Sequence, residues 1–255
     1  MGGMGGGGLG FGPPFTPPIV KQLLITLGAI FVLQALPATA PFLNELAVRP
    51  RDVWQYGYLW QPFTYMWLHG GVGHVAMNAF VLWMFGSQLA MAWGPKRFLR
   101  YYLVCGIGAG VLIATLPYLL YGVGAASPMN LAIPTVGASG AIYGVILAYS
   151  LTWPERTIML IFPPVAFKAI WLIPALFFMT LLFGGGNVSH VGHLGGVAVG
   201  WAYLRWQGDA RAGTISWEGI KLRWRRYRMR RKLRAVQYED WEQKRREQEE
   251  RRRYH

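Results

Sequence analysis

The stretch "VGASGAIYG" (136–144) sets one hydroxyl, Ser139, among Gly137, Ala138 and Gly140, at the mouth of an almost wholly apolar run. Two other polar clusters stand before apolar runs. "SHVGHLGGVAVG" (189–200) carries His190 and His193, and "WLHGGVGHVAMNAF" (67–80) carries His69, His74 and Asn78. A serine hydroxyl is a weak nucleophile until a base takes its proton. An imidazole with an ordinary pKa of about 6.5 is such a base, and His193 is the candidate. Attack on a carbonyl creates an oxyanion, which needs hydrogen-bond donors already in place. His74 and Asn78, at i and i+4 on one helix face, both donate. The Ser139 N–H, at a helix start where the dipole favours negative charge, is a third donor. The spans hold no Asp or Glu near this level, so a Ser–His dyad is the most these residues support. Tyr143, one turn after Ser139, offers a surface against which the imidazole can pack.

A dyad built from two distant segments needs helices that come very close. Gly140, Gly144 and Ala148 recur every four residues after Ser139, and Gly192, Gly196 and Gly200 do the same around His193. Small-xxx-small faces of this kind let two backbones approach. Packing these faces together would bring the Ser139 hydroxyl to the His193 ring.

The runs themselves read as membrane spans, which need about 20 mostly apolar residues each. Six are present, at 19–38, 72–93, 98–121, 137–153, 165–183 and 188–206, the fourth and sixth being short. An apolar piece at 158–162, cut off by Pro163 and Pro164, reads as an interfacial or re-entrant lead-in to the fifth. Charge is scarce: 14% of residues are charged, and 16 of the 25 Lys and Arg lie from Arg211 onward. Within 19–207 there are only nine Lys and Arg and three acids. The fold class expected is therefore an all-α polytopic bundle of six transmembrane helices. It spans 19–207, between a disordered Gly/Pro-rich lead (1–18) and a basic, helical tail (208–255).

Orientation follows from the cations. Lys96, Arg97 and Arg100 mark the connection after span two, and Arg156 and Lys168 the one after span four; the basic tail follows span six. Both termini are thus expected in the cytoplasm, with the three polar clusters at the opposite, outer ends. The N-terminus lacks a basic n-region and the first run is long, so no cleavable signal peptide is expected. The loop 39–61, rich in Trp54, Tyr56, Tyr58 and Trp60, suits the headgroup layer, as an ordered element lying on the membrane.

The tail interleaves basic residues with Trp224, Tyr227, Tyr238 and Trp241. Attraction to anionic lipid of the inner leaflet accounts for that pattern, and a nucleic-acid partner is not expected. Cys105 is the only cysteine, so no intramolecular disulfide is possible, and it reads as a small buried residue. The histidine spacings match no familiar zinc signature, so neither metal nor cofactor is expected. His69 and His190 read as structural, His69 tying its loop to the helix that follows.

Taken in order, these motifs resemble those of the rhomboid intramembrane serine proteases. "HGGVGHVAMNAF" resembles the family's HxxxN motif, "GASGAIYG" its GxSG motif and "HLGGVAVG" its base-bearing motif. "WPERTIMLIFPPVAFKAIW" resembles its connection between spans four and five. The resemblance covers most of 19–206. It implies a six-helix bundle with a water-filled active site sunk below the outer surface. In that site Ser139 is the nucleophile, His193 the base and then acid, and His74, Asn78 and the Ser139 amide the oxyanion hole. Substrates would be other membrane proteins, cut in or near a transmembrane helix. Two departures stand out. Many relatives carry Trp-Arg where this chain has Trp60-Gln61, and many carry a Glu late in span two, where this chain has Gln88 and Ala90.

The function expected is an intramembrane serine endopeptidase, located in a bacterial inner membrane. The alternative is a rhomboid-like, non-catalytic protein that binds transmembrane segments. Retention of both Ser139 and His193 weighs against it. A channel would need polar residues through both leaflets, whereas here they cluster at one end.

Overall fold

The computed structural model describes residues 12–159, 165–183 and 190–208, with Arg225, Arg228, Met229, Trp241 and Arg245 beyond them. Residues up to Gly208 form one compact unit and those from Asp209 another. The five described tail residues are helical, with the Arg245 guanidinium 5.5 Å from the Trp241 ring centre. The readings of residues 1–11, of the lead-in beyond Met159 and of the tail as a lipid-binding element otherwise lie outside the described residues.

The first unit is mostly helical. In chain order it contains α1 (Pro18–Gln34), α2 (Ala40–Asn44), α3 (Pro50–Gln55), α4 (Gln61–Thr64), α5 (Val72–Val81), α6 (Ser87–Trp93), α7 (Pro95–Gly122), α8 (Ser139–Thr152), α9 (Leu172–Phe183) and α10 (His190–Trp206). A π-helical turn, Leu82–Gly86, joins α5 to α6 without a break. Among the described residues, Val72–Trp93 and Pro95–Gly122 are long and apolar enough to cross a bilayer; Pro18–Gln34 and Ser139–Thr152 are apolar but shorter. Prolines at the first turns of α1, α2, α3, α4 and α7 fit positions where a missing N–H costs nothing.

Two readings of the sequence change. The run 165–183 is not one helix, because Ala166–Lys168 is a β-strand paired antiparallel with Thr157–Met159. Pro163 and Pro164 precede it; proline lacks the N–H a helix interior requires and biases the preceding residue to extended backbone. The hairpin base is closed by bonds from the Ala169 N–H to the Arg156 carbonyl (2.8 Å) and from the Ile170 N–H to the Pro154 carbonyl (3.2 Å), and by a Lys168–Glu155 ion pair. The Gly/Pro-rich lead, for its part, is not free throughout. Gly12 lies against the Trp83 ring, and the Trp83 indole N–H donates to the Thr16 hydroxyl at 2.9 Å.

Large apolar side chains line the outside of the unit as well as its core. Ile25, Val32, Leu119 and Phe178 are each about 60% exposed, as helices that face lipid allow. The interior holds leucines and valines together with small residues and several fully buried tyrosines. Tyr65 donates to the Gly106 carbonyl (2.8 Å) and Tyr101 to the Gly144 carbonyl (2.9 Å), so their buried hydroxyls are satisfied. α7, α8 and α10 are mutual neighbours and form the centre.

The two ends of the unit differ. At one, Arg156 donates to Gln88, and Arg97, Arg156 and Arg205 lie against Trp93, Trp153 and Trp201. Gln88, where the resemblance expects an acid nearby, thus ties α6 to the turn that follows α8. At the other, the loop 39–61 is built of the short helices α2 and α3. It is fixed by a bridge in which Val48 and Thr135 exchange N–H···O bonds of 3.1 and 2.9 Å. Gln61, fully buried, receives the Arg49 N–H (3.0 Å) and donates to the Glu45 carbonyl (3.1 Å).

Candidate active site

Ser139 is the first residue of α8, and its N–H belongs to the first turn, where no intrahelical partner exists. The approach to it is set by Gly137. That residue has φ +127°, which side chains rarely adopt, and a Cβ there would lie 2.7 Å from Cε1 and Nε2 of His74. The Gly137 N–H is held by the Tyr65 carbonyl at 3.0 Å. His74 therefore lies directly against the strand-like segment that delivers Ser139.

His193 reaches Ser139 because α8 and α10 touch backbone to backbone. A Cβ on Gly196 would run into the Gly140 carbonyl, and one on Gly144 would come 3.3 Å from the Gly196 carbonyl. Gly140 also faces α7, where a Cβ would meet the Ala109 Cβ at 2.6 Å. The third glycine of the α10 stripe serves a different neighbour. Gly200 is closest to Tyr101 and Cys105 of α7, so it seats α10 on α7 and not on α8. Cys105 is buried and free, filling the groove beside Gly144 and Gly200.

With the helices this close, Nε2 of His193 lies 3.0 Å from the Ser139 Oγ. The His193 ring is stacked flat on Tyr143, centres 4.2 Å apart and planes 11° apart. Its Nδ1 is buried and makes no hydrogen bond among the described residues. Asp52 is occupied by Arg49 and Arg51, and Glu155 by Lys168. The arrangement is a pair, oriented by packing rather than by a carboxylate.

Across from the pair, the His74 Nδ1 accepts the Gly70 N–H at 3.3 Å. A neutral imidazole carries one proton, so an accepting Nδ1 leaves it on Nε2, the nitrogen facing Gly137. Asn78 is buried and spends one amide N–H on the His74 carbonyl (2.9 Å), which leaves a second for a ligand. His69 is buried edge-on to His74, ring centres 5.0 Å apart. Burial, with His74 beside it and the Trp67 carbonyl opposing, lowers its pKa from 6.5 to about 4. Its hydrogen bonds are made by its backbone, to Gln34 of α1, while its ring meets the following helix through the edge-on contact with His74. His190 packs edge-on to Phe177 of α9, ring centres 5.7 Å apart.

Gln34, Tyr65 and Gly70 were not singled out by sequence reasoning. Gln34 had a readable signal, being an amide at the end of an apolar helix, where polar groups are costly. Toward the site Tyr65 offers its carbonyl and Gly70 its N–H, backbone atoms that leave no mark in residue type.

The family model described as the Rhomboid domain matches residues 56–207. RHOMBOID-like protein 12, mitochondrial, of Arabidopsis thaliana is 29% identical over 201 residues, covering 73% of this chain and 58% of that one. Rhomboid protein 1, mitochondrial, of Saccharomyces cerevisiae is 28% identical over 202 residues, 75% of this chain and 55% of its own. Presenilin-associated rhomboid-like protein, mitochondrial, of Homo sapiens is 32% identical over 140 residues, 53% of this chain and 35% of its own. The chain thus spans little more than half the length of the first two relatives.

Proposed function

The chain belongs to the rhomboid family, a family of integral membrane proteins that includes serine proteases, and from that premise we propose that it is an intramembrane serine endopeptidase. The observation that carries this reading is the 3.0 Å contact between the His193 Nε2 and the Ser139 Oγ, facing the ring of His74. A protein that only holds transmembrane segments has no use for an aligned hydroxyl and base.

In this reading the membrane domain has six spans, both termini on the cation-rich side, and a site opening to the opposite side. Water must reach the site, because hydrolysis consumes it. His193 takes the Ser139 proton as Oγ bonds to the scissile carbonyl carbon of a transmembrane substrate. The carbonyl oxygen becomes an oxyanion, received by the Ser139 N–H, the Nε2–H of His74 and the second amide N–H of Asn78. Collapse breaks the C–N bond, and His193 returns its proton to the leaving amine. Water, deprotonated by the same imidazole, then displaces Ser139 from the acyl intermediate. The mitochondrial names of the relatives run against the bacterial inner membrane expected from the sequence, and the proposal keeps only an integral membrane location.

The test is cleavage of a reporter transmembrane substrate by the reconstituted full chain. Ser139→Ala and His193→Ala should each abolish cleavage while insertion and folding persist. A fluorophosphonate should label wild type and not Ser139→Ala. Equal labelling of both, or cleavage by Ser139→Ala, would overturn the reading.

A further inference from the structure

We propose that Gln34, the last residue of α1, is a positioning residue that fixes the ring tautomer and aim of His74 through the backbone of residues 69 and 70. The inference rests on the reading of His74 as an oxyanion donor. The Gln34 side-chain amide makes both of its bonds to one residue. Its Oε1 accepts the His69 N–H at 2.9 Å, and its Nε2 donates to the His69 carbonyl at 3.3 Å. Only one orientation of the amide satisfies both, because the flipped form would face donor with donor and acceptor with acceptor. The clamp therefore fixes the backbone on both sides of His69.

Two contacts carry that restraint to His74. The next N–H, that of Gly70, donates to the His74 Nδ1, and the His69 ring stands edge-on to the His74 ring at 71°. On its far side the His74 ring meets Gly137, the residue that feeds Ser139 into α8. A donor at Nδ1 compels the proton onto Nε2, where it serves as a donor toward the oxyanion. Released from Gln34, the peptide between residues 69 and 70 can turn away. His74 then admits the Nδ1–H tautomer, and its Nε2 becomes an acceptor, repelling the charge it should stabilise. α1 makes this contact although its residue lies 35 positions from His69.

The experiment uses the full chain in bilayers, with Gln34→Leu, which removes both bonds, and Gln34→Glu, which keeps the acceptor alone. The first readout is the 15N spectrum of ring-labelled histidine, with the His74 signals assigned by their loss in His74→Ala. Wild type should show a single Nε2–H tautomer, and Gln34→Leu a mixture, with Gln34→Glu between them. The second is turnover. Gln34→Leu should lower kcat about tenfold and change KM by less than about twofold, the size expected for loss of a group that orients a working side chain. In a His74→Ala background it should cause no further loss, whereas a merely structural role would multiply with it. A pure Nε2–H tautomer in both variants, or equal losses in both backgrounds, would overturn the proposal. If wild type cuts no substrate, the protease reading falls, and the spectrum alone still decides whether Gln34 sets the tautomer.

Discussion

The imidazole of His193 lies flat on the phenol ring of Tyr143, planes 11° apart and centres 4.2 Å apart, with Nε2 at the edge turned to Ser139. Apart from the Nε2 contact with Ser139, stacking is what restrains this ring among the described residues, since its Nδ1 has no hydrogen bond there. Packing thus does the orienting that a carboxylate does in a triad. A flat ring is what the contact requires, not a hydroxyl. Tyr143→Phe should retain kcat within about threefold, and Tyr143→Ala should lose about tenfold or more, because an unbacked imidazole spends less time aimed at Oγ. Steady-state turnover in bilayers checks this. Equal loss in both variants would assign the effect to the hydroxyl instead.

Gly196 meets the Gly140 carbonyl, while Gly200 meets the side chains of Tyr101 and Cys105. Backbone cannot step aside, whereas a side chain can. Gly196→Ala should push α10 off α8, costing about 1–3 kcal/mol of stability and about a hundredfold in turnover, since the proton transfer is sensitive to the distance. Gly200→Ala should lower stability with turnover little changed per folded molecule. Thermal unfolding and turnover, measured on the same samples, separate the two.

Ser139, His193, the polar residues beside them and the glycine stripes were legible because each is written in residue type and four-residue spacing. Ser139, His193, His74 and Tyr143 are brought together, though Gly200 faces α7. The hairpin Thr157–Met159/Ala166–Lys168 was hidden, because an apolar run has the same composition whether coiled or extended, and only Pro163 and Pro164 hinted at the break. The Val48–Thr135 bridge was hidden for another reason. Backbone hydrogen bonds between distant loops carry no residue preference.

Gln61 stands where the resemblance leads one to expect arginine, and its side chain anchors the loop in this chain. Its carboxamide serves the Arg49 N–H and the Glu45 carbonyl at once, just before Val48 pairs with Thr135. Gln61→Leu keeps the volume and strands both backbone groups. It should cost about 1–3 kcal/mol, the range for leaving buried polar groups unmade. It should also expose the 39–61 loop to limited proteolysis. Gln61→Glu keeps the acceptor for Arg49 and should cost less. Unchanged thermal stability in Gln61→Leu would remove the anchoring role.

His69 should make the fold's stability depend on pH. Burial lowers its pKa to about 4 in the folded chain, against 6.5 when exposed. Between these values the unfolded chain binds more protons than the folded one, so stability rises with pH across that window. The contribution is complete above about 6.5 and is lost as pH falls toward about 4. Replacing the ring by a group that does not titrate, in His69→Gln, should flatten this part of the curve while the backbone bonds to Gln34 remain. The check is thermal unfolding of wild type and His69→Gln in the same detergent from pH 4 to pH 8. Parallel curves across the whole range would place the titrating group elsewhere. A difference that opens only below about pH 6.5 assigns it to His69.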